Sequence, residues 1–137
     1  MDSFDFSFGI LPHPKVVVTR TKGTITLSRY LSEFVRVSKH PLFDRDISYL
    51  HDFREVDEVR GTLDEHKKIA DFAVSIASNK TADVVFLLAE HSPSIKKLIE
   101  GYTLMASRSN RNYWIYPESE MAIAIAKVGL RISDIES

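Results

Sequence analysis

The chain has 137 residues, of which 44% are hydrophobic and 27% charged, with a formal net charge of -1. That length suits one domain with a core of its own, and the balanced charge lacks the basic surplus of a nucleic-acid binder. There is no cysteine, which excludes disulfides, thiolate metal sites and a cysteine nucleophile.

Ser3 to Phe8 alternates Phe4, Phe6 and Phe8 with Ser3, Asp5 and Ser7, which predicts a strand with three rings on one face. Gly9 and Pro12-His13-Pro14 are expected to break it. The opening stretch has no basic start, so it does not read as a signal peptide. No apolar run approaches the roughly 20 residues that cross a bilayer. Both readings point to a cytoplasmic protein without a membrane span.

Lys15 to Arg20 holds Val16-Val17-Val18, a β-branched run expected to form a buried strand, with Gly23 as the turn after it. Thr26 is expected to cap a helix whose stripe is Leu27, Tyr30, Leu31, Phe34 and Val35. Pro41 stops it. Ile47 to Phe53 predicts the next strand, and Arg54 to Gly61 a charged loop. Thr62 and Glu65 form a T-x-x-E capping box ahead of a helix burying Ile69, Phe72, Ala73 and Ile76. Asp64 faces Lys67 and Lys68 on its solvated side. Asn79-Lys80-Thr81 predicts a turn. Asp83 to Ala89 is the most apolar run and predicts a central strand.

Ser92 followed by Pro93 predicts a helix start, with a stripe of Ile95, Leu98, Ile99, Tyr102 and Met105. Asn112 to Tyr116 predicts a strand ended by Pro117. Ser119 is expected to cap a last helix, Glu120 to Val128, ended by Gly129. The expectation is a single domain over 1–137: a leading strand and turn (1–14), a βα core (15–129) and a tail (130–137). Strands joined by helices of this length are expected to be parallel, with right-handed crossovers.

This β-(βα)4 order, in an α/β chain, resembles the SpoIIAA-like fold. The group includes the STAS domains of anti-sigma-factor antagonists, the CRAL-TRIO lipid-binding domains and uncharacterised bacterial proteins, and this sequence looks most like the last. The matching pieces are Val18-Thr19-Arg20 with Gly23 and Thr26, His40-Pro41, Leu50-His51-Asp52-Phe53-Arg54, the strand leading to Ala89-Glu90, and the acidic turn at Glu118. They span about Val16 to Val128 and are fold-forming positions, not a catalytic signature. STAS antagonists carry a D-S-[ST]-G-like phosphorylation motif ahead of the second helix. Here that place reads Val59-Arg60-Gly61-Thr62-Leu63-Asp64, with Thr62 as the hydroxyl available to accept a phosphate. The tryptophan near the end of the last helix in the bacterial set is missing.

In an open parallel sheet, ligands bind beyond the carboxyl ends of the strands. Those ends are expected to gather Lys22, Gly23, Asp52, Arg54, Glu90, His91, Ser92, Glu118 and Ser119, with helix starts at Thr62, Ser92 and Ser119 favouring an anion. Arg54, Thr62, His91 and Ser92 are the residues of that candidate crevice. Glu65 and Glu90 compete for it as helix caps. His51 and Asp52 point to opposite faces of a strand, so they form no dyad with each other, which leaves Asp52 to reach His91. The five scattered histidines have no metal-ligand spacing, so no metal or other cofactor is expected. The STAS resemblance implies a regulatory or protein-interaction module without enzymatic activity, docking around Thr62 and the Arg54–Gly61 segment. The CRAL-TRIO resemblance implies instead a small apolar ligand or lipid. The aromatics Phe4, Phe6, Phe8, Tyr102, Tyr113, Trp114 and Tyr116 serve the core, line a pocket, or make an interface such as a homodimer paired through the leading strand.

Overall fold

A computed structural model describes residues 4–78 and 80–135 of the chain. Ser3 of the first strand, Asn79 of the predicted turn and the last two residues of the tail lie outside the described residues. The described part is α/β. Five strands, β1 (Phe4–Pro12), β2 (Lys15–Thr26), β3 (Ser48–Arg60), β4 (Ala82–Leu88) and β5 (Arg111–Pro117), form one sheet in chain order. β1 folds back antiparallel on β2 through the His13–Pro14 turn, and the remaining neighbours are parallel. The helices are α1 (Leu27–Ser38), α2 (Leu63–Ser75), α3 (Pro93–Met105), α4 (Met121–Lys127) and the short α5 (Ile132–Ile135).

Period-two alternation splits each strand between two cores. On one face Tyr49, Phe53, Val84, Phe86 and Leu88 pack under α1, α2 and α3, which contribute Phe34, Ile69, Ile95, Ile99 and Tyr102. The predicted helix stripes are the faces that bury here, although Phe72 of α2 and Ile76 just past its end are only half-buried. Phe4, Phe6 and Phe8 pack on the edge of this core, as their alternation requires. On the other face Val16, Leu50, Val85 and Leu87 meet Ala124, Ile125 and Val128, so α4 lies opposite the other three long helices. Leu130, in the segment taken as a tail, is buried in this second core.

Three local expectations are corrected. Gly9 does not end the first strand, because β1 pairs with β2 through Pro12↔Lys15. Gly23 does not turn the chain: with a φ of 81° it lies inside β2, where the register against β3 shifts. A left-handed glycine is what a bulged strand position accommodates. Arg54 to Arg60 is not a loop but the second half of β3, paired with β2 from Lys22↔Glu55 to Thr26↔Arg60. It looked like a loop because β4 pairs with β3 only from Tyr49 to Phe53. Beyond that point the ribbon has one neighbour, and Glu55, Asp57, Glu58 and Arg60 are exposed.

Candidate functional site

The carboxyl ends of β4 and β5 open into a cleft of about 550 Å³, lined by Glu90, His91, Ser92, Lys96, Ile115 and Pro117 among others. His91 and Ser92 therefore share one site. Ser92 sits at the N-cap of α3 and its hydroxyl makes no capping bond, while Pro93 takes the first helical position. The first turn of α3 contains no acidic residue. Its N–H groups and the Lys96 ammonium share the cleft with the Glu90 carboxylate, so the lining carries both signs of charge.

Glu90 has another task. Its carboxylate accepts from the backbone N–H and the hydroxyl of Ser119, both at 3.0 Å. These two bonds hold the Glu90 carboxyl below its ordinary pKa. The capping reading of Glu90 thus describes its geometry. Ser119 lies in a 3-10 turn, Glu118–Glu120, ahead of α4 and does not cap that helix with its own side chain.

Arg54 and Thr62 stand apart from the cleft. Arg54 grips Asp52 through Nε to Oδ1 at 3.0 Å and Nη2 to Oδ2 at 2.9 Å, a two-point contact. Its Nη1 lies 3.6 Å from Glu118. Arg20 approaches Asp52 from β2 at 3.4 Å. Burial pushes the Asp52 carboxyl up, but the hydrogen bonds and charge of Arg54, aided by Arg20, hold it below its ordinary value. Asp52 is therefore a carboxylate held between two arginines on the α4 face, not a partner for His91. Two residues apart on a strand, Asp52 and Arg54 point the same way, so the D-x-R spacing carried the signal for this pair.

Thr62 is the N-cap of α2. Its hydroxyl accepts from the Glu65 N–H at 3.1 Å, and its own N–H donates to Glu65 Oε1 at 2.9 Å, completing the capping box. A phosphate on Thr62 would replace this cap and set a dianion against the Glu65 carboxylate, 3.3 Å from the hydroxyl.

His51 lies on the opposite face from Asp52, as alternation requires. Its Nδ1 is 2.8 Å from the Thr19 hydroxyl. Its ring stacks near Phe86, at 4.9 Å, and Tyr49, at 5.5 Å. Burial, with the charge of Arg111, lowers its pKa to about 3, so the imidazole is neutral. A cavity of about 40 Å³ lies between the sheet and α1–α3, lined by His51, His66, Tyr30 and Tyr102 together with apolar residues. It has room for about one or two waters, well short of the roughly 300 Å³ at which ligand pockets begin.

Sequence reasoning also missed Arg111, a buried cation opening β5. An arginine at the head of an apolar strand looks like a boundary residue, and only the fold brings it against α2 and Tyr49. Among the described residues no group of three or more His, Asp or Glu could hold a metal ion, and no helix is long and apolar enough to cross a membrane. Compared with models of known protein families the chain matches none, and no curated protein matches it.

Proposed function

We propose that this chain is a regulatory or protein-interaction module without catalytic activity, of the SpoIIAA-like, STAS-like type, acting in the bacterial cytoplasm. One leading strand followed by four strand–helix pairs, the order of that fold, supports the family reading. The observation that carries docking is the β2–β3 ribbon. Past Phe53 it runs on without β4 and exposes Glu55, Asp57, Glu58 and Arg60 beside Thr62 at the start of α2. An open strand edge with charged side chains resists self-association yet leaves backbone groups free for a specific partner.

The small-ligand reading would need the interior cavity to grow several-fold from its present volume, so the ribbon is the stronger support. Glu58 pairs with Arg60 at 3.1 Å, so changes of sign there alter the ribbon's surface without touching the core. The test is affinity capture from the native host with the intact chain and with the Asp57→Lys/Glu58→Lys double variant. A partner held by the parent and lost from an equally stable variant supports docking through the ribbon. Retention of the same partners by both would overturn it.

A further inference from the structure

Arg111 stands at the foot of the sheet, where the parallel strands begin, and is 8% exposed. Its Nη1 donates to the Ala73 carbonyl at the end of α2, over a long 3.4 Å. Among the described residues its Nε and Nη2, and the Tyr49 hydroxyl, make no well-formed hydrogen bond, although Arg111 lies close enough to act on that hydroxyl. Tyr49 is 1% exposed. The guanidinium carbon lies 5.0 Å from the centre of its ring. Buried donors without partners are strongly unfavourable, and a buried cation without a counter-charge more so.

The carboxylates nearby in the chain make their ion pairs elsewhere, although Asp44 still acts electrostatically on Tyr49. Asp44 pairs with Lys15 at 2.9 Å, Asp46 with Lys80 at 3.7 Å and Asp71 with Arg108 at 2.7 Å. Asp83 accepts from the Trp114 indole at 3.0 Å. The carboxyl end of α2 offers a partial negative charge of about half an elementary unit. Arg45 draws on the same end, donating to the Ser75 carbonyl at 3.0 Å. Two guanidinium groups thus share a helix end that balances a fraction of one of them.

We propose that Arg111 and Tyr49 form a binding site for one small monovalent anion, of the size of chloride or nitrate. The anion accepts from Arg111 Nε and Nη2 and from the Tyr49 hydroxyl, and supplies the missing counter-charge between β3, β5 and the end of α2. A single guanidinium calls for one compensating charge.

The test is thermal unfolding of the full chain in sodium chloride against sodium gluconate at equal ionic strength. Chloride and nitrate are expected to raise Tm saturably, by roughly 3–6 °C up to about 200 mM, relative to gluconate. Tyr49→Phe keeps the ring and removes one donor, and should raise the half-saturating chloride concentration about fivefold. Arg111→Met should abolish the response; where it does not fold, Tyr49→Phe decides. Equal Tm in chloride and gluconate, or an unchanged half-saturation in Tyr49→Phe, overturns the proposal. A bromide-grown crystal gives a second readout. An anomalous peak within hydrogen-bonding distance of Arg111 supports the site, and bromide found only elsewhere overturns it.

Discussion

The two faces of the sheet are built from alternate residues of the same strands, yet their chemistry differs. Under α1, α2 and α3 the core is aromatic, with Tyr49, Phe53, Phe86 and Tyr102 around a neutral histidine. Under α4 the fully buried members are aliphatic, Val16, Leu50, Val85 and Leu87 against Ala124 and Ile125, with Trp114 and Tyr116 only partly buried beside them, and this core gives way to the Arg20–Asp52–Arg54 cluster. His51 and Asp52 are covalent neighbours, and the fold treats them oppositely. One ring is kept uncharged by burial, and one carboxylate is kept charged by two arginines. The lesson is that side-chain direction, not sequence adjacency, decides which groups share an environment.

The sharpest way to break the comparison is to open a hole on each face. Phe86→Ala should cost about 3–5 kcal/mol, because its ring contacts His51, Phe53 and Tyr102 in a core closed by three helices. Leu87→Ala should cost about 2–3 kcal/mol, since a seven-residue helix can settle into the gap. Urea unfolding measures both; equal losses would remove the distinction between a rigid and a yielding face.

Acid separates the faces next. The pKa of His51 is about 3 in the fold and near 6.5 in the unfolded chain, so its contribution is fully present above pH 6.5 and falls as pH drops through that window. The slope should reach about 1.4 kcal/mol per pH unit. His51→Leu should flatten it. Asp52, lowered in the fold, contributes above its unfolded value near 3.8 and loses that contribution only as pH falls further through its folded value. In an unfolding series from pH 7 to 4.5 the slope therefore comes from His51, joined by the half-buried His66, whose pKa burial also lowers; a slope unchanged in His51→Leu would contradict the assignment.

Smaller effects follow. Asp52→Asn should cost about 2 kcal/mol by leaving Arg54 and Arg20 poorly compensated, less than for a fully enclosed pair because Arg54 keeps some solvent and Glu118. Thr62→Ala should cost about 1 kcal/mol through loss of the cap. Calorimetry that finds Thr62→Ala the costlier of the two would reverse the ranking of cluster over cap.

Much of the framework was legible because its signals are local. The Val16–Val18 run and the Asp83–Ala89 run, save its last residue, became strands, T-x-x-E became a capping box, and Ser92-Pro93 opened a helix. The second half of β3 was not legible. Two register shifts against β2 interrupt its alternation, and exposure leaves its charged residues no apolar phase to display. The candidate crevice was half legible. His91 and Ser92 follow one strand and share its cleft, whereas Arg54 is turned away by Asp52 and Thr62 is absorbed by Glu65. Which face α4 covers, and that Arg111 meets Tyr49, depends on long-range packing that no local pattern encodes.

The bond pair from Ser119 to Glu90 has a mechanical consequence. Glu90 leaves the strand that feeds α3, and Ser119 leaves the strand that feeds α4, so this contact is a latch across the top of the sheet joining elements that cover opposite faces. It ties the mouth of the His91–Ser92 cleft to the turn that precedes α4. Both bonds face water, so releasing them takes little work, and the lowered pKa of Glu90 keeps the latch charged into acid. A ligand drawn to the cleft that displaced Glu90 would be felt on the far side of the sheet, at the beginning of α4.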